Sequence, residues 1–265
     1  KEIAELKEKI KILIKIIGGD INPTDIDFGN YHALIIGINK YKYLRRLRTA
    51  TSDARAVRDL LRSRYGFKVS TLIDPNREEI LDKLDGFRAK LKDTDNLLIY
   101  YAGHGWLDKE ADQGYWQPVD ARKGKRGRWL SNASITDTLK ASKAKHVMVV
   151  ADSCYSGSLT RGSEETPQGD PGNGTSYYRK MALKKARVTL TSGGIEPVDD
   201  GTGKHSPFAR AFMGILEDNE EVIDGNSLFN RIRKGVAVNA DQTPEYANIR
   251  KAGHQCGDFL FVRRD

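Results

Sequence analysis

Short apolar runs that alternate with stretches of helical periodicity restrict this chain to a layered α/β fold. The runs are residues 33–38, 67–73, 96–102, 147–151 and 187–192, rich in Val, Ile, Leu and Tyr. Continuous apolar runs of that length read as strands buried on both faces, as in a parallel sheet. Between them, Ala56, Val57, Leu60 and Leu61 recur at helical spacing after a start at Ser52 or Asp53, and Gly66 stops the helix. Ile80, Leu81, Leu84, Phe87 and Leu91 follow an Asn76 cap in the same way, and further helices are expected over 134–142, 205–216 and 227–236. Residues 258–262 read as a strand that closes the sheet. The sum is a mostly parallel sheet of about six strands with helices on both faces.

The amino-terminal stretch stands apart. Ile3, Leu6, Ile10, Leu13 and Ile17 repeat at spacings of three and four, which makes residues 1–19 an amphipathic helix ended by Gly18 and Gly19. It either packs on the main domain or remains from an upstream region. Residues 20–30 are the linker, and 31–265 the main domain. Inside that domain, residues 156–177 are rich in Gly, Ser, Thr and Pro and nearly lack apolar side chains, so a mobile exposed loop is expected over about 156–185. Residues 108–131 form a long polar connection, a length that usually carries function.

Composition removes several classes of function. No apolar run approaches the roughly 18 residues of a membrane span, and the first residues lack the pattern of a secretory leader, so a cytoplasmic, soluble domain is expected. The two cysteines, Cys154 and Cys256, are too few for a disulfide framework or a zinc site, and Cys256 reads as a small core residue. The formal charge is +8 and the pI about 9.3. Basic residues gather at 41–48, 122–128 and 179–185, but none joins a nucleic-acid-binding motif, so they read as solvated loops and helix faces. Exposed basic residues are also cleavage sites for proteases that cut after Arg or Lys.

Two strand ends carry the chemistry. The run 147–151 leads into Asp152, Ser153 and Cys154, and the run 96–102 into Gly103, His104 and Gly105. In parallel sheets ligands gather at the carboxyl ends of strands. His146 and His32 begin strands and so face the opposite edge, about 20 Å away. His205 opens a helix and His254 sits in a late loop, both read as structural. Neither is excluded, but His104, at the right edge and flanked by glycines, is the favoured base for a Cys154 thiolate, with the N–H groups of Gly105 and Cys154 as oxyanion donors.

These motifs resemble the caspase-like cysteine peptidases (peptidase family C14, clan CD), and within them the metacaspases and prokaryotic caspase-like enzymes. In caspases the histidine lies about 50 residues before the cysteine, as His104 does here. The resemblance covers roughly residues 31–262, including 47–54, 191–197, 253–254 and 257–259. It implies a caspase-like fold whose last strand is antiparallel, and a thiol protease working through a Cys154–His104 dyad. Where caspases carry Gln two residues before the nucleophile, this chain carries Asp152, and Asp53 matches the second acidic position of a metacaspase S1 pocket. Two carboxylates there imply cleavage after Arg, then Lys, with Asp rejected. Asp53 doubles as a helix N-cap in the bland reading. Asp120 and Asp137 lie near the calcium ligands of metacaspases, but the rest of that ligand set is missing, so no cofactor is expected. Arg161, Arg179 and Lys180 are the candidate processing sites, cut by the enzyme itself or by an upstream protease. The implied partners are protein substrates with a basic P1 residue and a regulatory partner, with neither membrane nor nucleic acid. The alternative is a restrained caspase-like module that acts by binding other proteins.

Overall fold

The computed structural model describes residues 26–153, 175–193, 203–239 and 242–264. Residues 1–25, which hold the amino-terminal helix read from the sequence and most of the linker, lie outside them.

Among the described residues, six strands form the central sheet. In chain order they are β1 (Asn30–Gly37), β2 (Lys68–Ile73), β3 (Asp95–Ala102), β7 (His146–Asp152), β8 (Ala186–Thr191) and β10 (Glu245–Asn248). Their spatial order is β10-β8-β7-β3-β1-β2. All neighbours are parallel except β10, which runs antiparallel to β8. Strand alternation splits the core in two. Ile35, Leu98, Tyr100, Met148 and Val150 face one side, against α1 (Ala50–Tyr65), α5 (Pro207–Asp218) and α6 (Gly225–Asn239). Leu34, Ile36, Leu97, Ile99, Val147 and Val149 face the other, against α2 (Arg77–Lys90) and α3 (Asn132–Ala141). Among the described residues, no helix is long and apolar enough to cross a membrane.

Local signals set the helix ends. Asn76 and Glu79 close a reciprocal capping box at the start of α2. Gly66, at φ 66°, ends α1 in the left-handed conformation. A Cβ on Gly37 would stand 2.6 Å from the Ala50 carbonyl oxygen, so this glycine lets the start of α1 press onto the end of β1. That contact brings the first turn of α1 to the carboxyl edge of the sheet.

Four expectations need correction. Residues 258–262 do not close the main sheet: β11 (Leu260–Val262) pairs with β9 (Val222–Asp224) in a separate two-stranded sheet. The antiparallel edge strand is β10, a stretch too short and too polar at its ends to stand out. The long connection after His104 is not structureless. It contains β4 (Gly105–Asp108), β5 (Gln113–Trp116) and β6 (Leu130–Ser131) in a small antiparallel sheet, where Trp106, Tyr115 and Trp129 pack together. Cys256 is exposed rather than part of the core, because it sits at φ 57° in the tight turn before β11. The far end of the expected mobile loop is helical, as α4 (Thr175–Leu183).

Candidate active site

β3 and β7 are parallel neighbours paired from Asn96 with His146 to Ala102 with Asp152. Every pair in that ladder is 50 residues apart, which is also the separation of His104 and Cys154. Past the ladder, the Gly103 N–H donates to the Asp152 carbonyl at 3.3 Å, so the two chains remain together for one further residue. Ser153 is buried behind the edge. Cys154 lies outside the described residues.

His104 is held from three sides. Its backbone N–H donates to the Tyr41 hydroxyl at 2.7 Å, and the Tyr101 hydroxyl donates to its carbonyl at 2.7 Å. Its Nε2 lies 2.7 Å from the Arg45 carbonyl oxygen. A carbonyl only accepts, so Nε2 carries the proton and Nδ1 the lone pair. The Tyr41 ring packs on the imidazole with centroids 4.6 Å apart. Gly103 has a packing reason: a Cβ there would come within 2.7 Å of the Tyr41 hydroxyl and 2.8 Å of that of Tyr101. Gly105 opens β4 opposite Trp116, and the Gln117 N–H donates to the His104 carbonyl at 3.0 Å. That bond makes Gly105 and Trp116 a non-hydrogen-bonded pair, so the Gly105 N–H points away from β5.

Both candidate S1 carboxylates converge on the start of α5. Asp53, in the first turn of α1, and Asp152, at the end of β7, are buried. Ser206 joins them. Its hydroxyl donates to Asp152 Oδ2 at 2.6 Å, and its N–H donates to Asp53 Oδ2 at 3.3 Å. The same hydroxyl accepts from the Ala209 N–H at 2.9 Å as the cap of α5. His205 Nδ1 donates to Asp53 Oδ1 at 2.6 Å. Burial pushes the Asp53 carboxyl above its ordinary range, opposed by the bonds from His205 and Ser206. Burial also drives the Tyr100 phenol well up, and the charges of Asp152 and Asp53 push it in the same direction. Asp53 is not the cap of α1, since Thr49 holds that position.

The remaining sequence candidates scatter. His146 lies at the opposite edge, between Asn96 Oδ1 at 2.6 Å and the Lys184 carbonyl at 2.9 Å. His254 Nδ1 accepts from the Arg187 N–H at 3.2 Å. Asp120 Oδ2 accepts from Arg128 at 2.7 Å, and Asp137 stands on α3. Among the described residues no three acidic, His or Cys side chains gather as a metal site would require. Arg179 and Lys180 are exposed on α4, while Arg161 lies outside the described residues.

The profile of peptidase family C14, the caspase domain, matches residues 30–253. The chain belongs to the caspase family. Among relatives of this caspase domain, metacaspase-1 of Eremothecium gossypii is 24% identical over 258 residues, covering 80% of this chain and 55% of its own length. Metacaspase-1 of Schizosaccharomyces pombe is 25% identical over 182 residues, covering 62% and 40% respectively. The chain thus spans about half the length of the metacaspases it matches. In fold it resembles caspase-1 from Spodoptera frugiperda, with a TM-score of 0.61, 14% identity and coverage of 89% and 93%. A Geobacter sulfurreducens protein of known structure gives 0.59, 18%, 82% and 92%.

Sequence reading missed the supporting residues. Ser206 followed by Pro207 announces a helix start, but nothing local says that its hydroxyl meets a carboxylate 54 residues earlier in the chain. Tyr41 sits in a basic loop where its neighbours are exposed, and no periodicity marks it as the anchor of His104.

Proposed function

We propose that this chain is a cysteine endopeptidase that cuts proteins after arginine, with lysine second. The observation that carries the reading is the shared 50-residue offset, which runs β3 and β7 side by side until two residues before His104 and Cys154. In this reading the Cys154 sulfur attacks the scissile carbonyl carbon and the C=O electrons move onto oxygen. The N–H groups of Gly105 and Cys154 receive that charge, each donor worth on the order of 3 kcal/mol. His104 Nδ1, which carries the lone pair, takes the thiol proton and passes it to the departing amine. Water then hydrolyses the acyl-enzyme. Asp53 and Asp152 receive the P1 cation; a P1 carboxylate would meet two like charges in a buried site and be rejected.

Peptides ending in Arg, Lys or Asp ahead of a fluorogenic amide test this directly. The expected order is Arg, then Lys, with Asp uncut, and Cys154→Ala abolishes turnover. Asp152→Asn should lower kcat/KM for the Arg peptide about 100-fold, the scale of a lost hydrogen bond between charged groups. Equal cutting after Asp would end the specificity, and turnover surviving Cys154→Ala would end the mechanism. A folded protein that cuts none of them favours a module that works by binding.

The proposal carries two regulatory expectations. Calcium chelation should leave the rate unchanged, because Asp120 Oδ2 is paired with Arg128; a tenfold or greater fall with EDTA, restored by calcium, would overturn this. Processing by the enzyme itself or by an upstream protease is assigned to Arg161, Arg179 and Lys180. Peptidases bind extended chain, so cutting at Arg179 or Lys180 requires α4 to unwind first. Sequencing the new amino termini of processed protein distinguishes the three.

A further inference from the structure

We propose that His205 is a specificity-determining positioning residue: it holds the Asp53 carboxylate ionised and aimed, so that the buried pocket keeps its charge for a basic P1 side chain. The proposal rests on the S1 reading above and adds a residue to it.

The difficulty it addresses is physical. Asp53 and Asp152 are buried at 1% and 5% exposure and are bridged by one serine. Two carboxylates so close, out of water, favour protonation of one of them. A protonated Asp53 would offer a P1 guanidinium a neutral acid in place of a charge. The groups that face Asp53 are few. Asp152 from β7 and Tyr100 from β3 are anionic or neutral and cannot stabilise its charge. Thr49, at the cap of α1, adds a hydrogen bond. The turn before α5 supplies the Ser206 N–H and the His205 imidazole, whose 2.6 Å bond is the shorter of these two. Lys204, beside it, accepts from the Ser52 hydroxyl through its carbonyl at 2.8 Å, which ties that turn to the first turn of α1. Ser206 serves both carboxylates and the helix, whereas the imidazole is directed at Asp53 alone among the bonds described.

The sign follows from the causes. Burial raises the Asp53 carboxyl, and the His205 bond opposes that rise. Removing the imidazole leaves the rise less opposed. In His205→Ala, Asp53 should therefore stay protonated to higher pH than in the wild type, and P1-Arg recognition should weaken most on the acid side.

Two readouts test this on the full chain. In the first, the Asp53 carboxyl is followed by ¹³C NMR through a pH titration of wild type, His205→Ala and His205→Gln, with Asp53→Asn assigning the signal. The alanine variant should titrate about one unit higher, a tenfold change in the protonation equilibrium. The glutamine variant, whose amide N–H can still donate, should return most of the way. In the second, kcat/KM is compared for peptides ending in arginine and in its neutral isostere citrulline. The Arg-to-citrulline ratio should fall about tenfold in His205→Ala on the acid side of the profile, mainly through KM, and recover as pH rises. An unmoved Asp53 titration overturns the inference whatever the kinetics show. A moved titration, in a protein that never distinguishes Arg from citrulline, upholds His205 and refutes the S1 assignment instead. A glutamine variant that behaves like alanine, with unchanged melting, also overturns it.

Discussion

His104→Ala is expected to lower kcat/KM on an arginyl peptide by a factor of about 10³, within the range that positioned acid–base groups supply, while the melting temperature barely moves. The two effects separate because of how His104 is built in. Its main chain is fixed by the hydroxyls of Tyr41 and Tyr101, and neither bond needs the imidazole. The Nε2 bond of the side chain goes to the carbonyl of exposed Arg45, where water can take its place. Tyr41→Phe makes the complementary test. It leaves the imidazole in place but removes the hydroxyl that accepts the His104 N–H and the ring partner's polar end. A stability loss of about 1 kcal/mol is expected from that bond, with a drop in kcat well short of that in His104→Ala. Turnover assays and thermal melts on both variants decide it. Retention of more than about a tenth of wild-type activity in His104→Ala would remove the residue from the mechanism.

The largest stability effect is expected far from the site, at Arg187. This side chain is fully buried at the start of β8. Its guanidinium donates to the carbonyls of Lys145 at 3.0 Å, Ala186 at 2.7 Å, Ser142 at 3.1 Å and Ala144 at 2.8 Å. Burial pushes its pKa down to about 10, still far above neutrality, so it stays charged. The cage sews the turn before β7 to β8. Arg187→Ala should destabilise the protein by about 3–5 kcal/mol, because buried carbonyls lose their donors and a large cavity opens. For a domain of this size that is a fall of roughly 10 °C in Tm. Arg187→Met fills much of the volume and removes a charge that is itself expensive to bury, so its loss should be about half as large. A melting temperature unchanged in Arg187→Ala would mean that water takes over the carbonyls and the cage is decorative.

The contrast between these two residues shows what can be read from the sequence. His104 announces itself: an apolar run stops, glycines flank a titratable side chain, and the separation from Cys154 equals the register of the strands beneath. Arg187 gives the opposite signal, since a charge at the head of an apolar run looks like a solvated strand end. Its partners are carbonyls, which every residue carries, so no residue type marks the cage. The small sheet after His104 was hidden for a related reason. β4, β5 and β6 are held by a cluster of three aromatic rings, and such packing leaves no periodic trace in segments of two to four residues.

By itself the sequence determined the alternation of strands and helices and the 50-residue offset that puts His104 just past the end of β3. Those properties depend on period and separation, which are linear quantities. Only the tertiary structure decided that Asp53 and Asp152 meet through Ser206, that His205 bonds Asp53, and that β10 rather than residues 258–262 forms the antiparallel edge. Hydrogen bonds between residues 54 or 152 positions apart arise from how layers stack. The contacts that select among possible stackings are distributed over the whole core, so no local stretch of the chain encodes them.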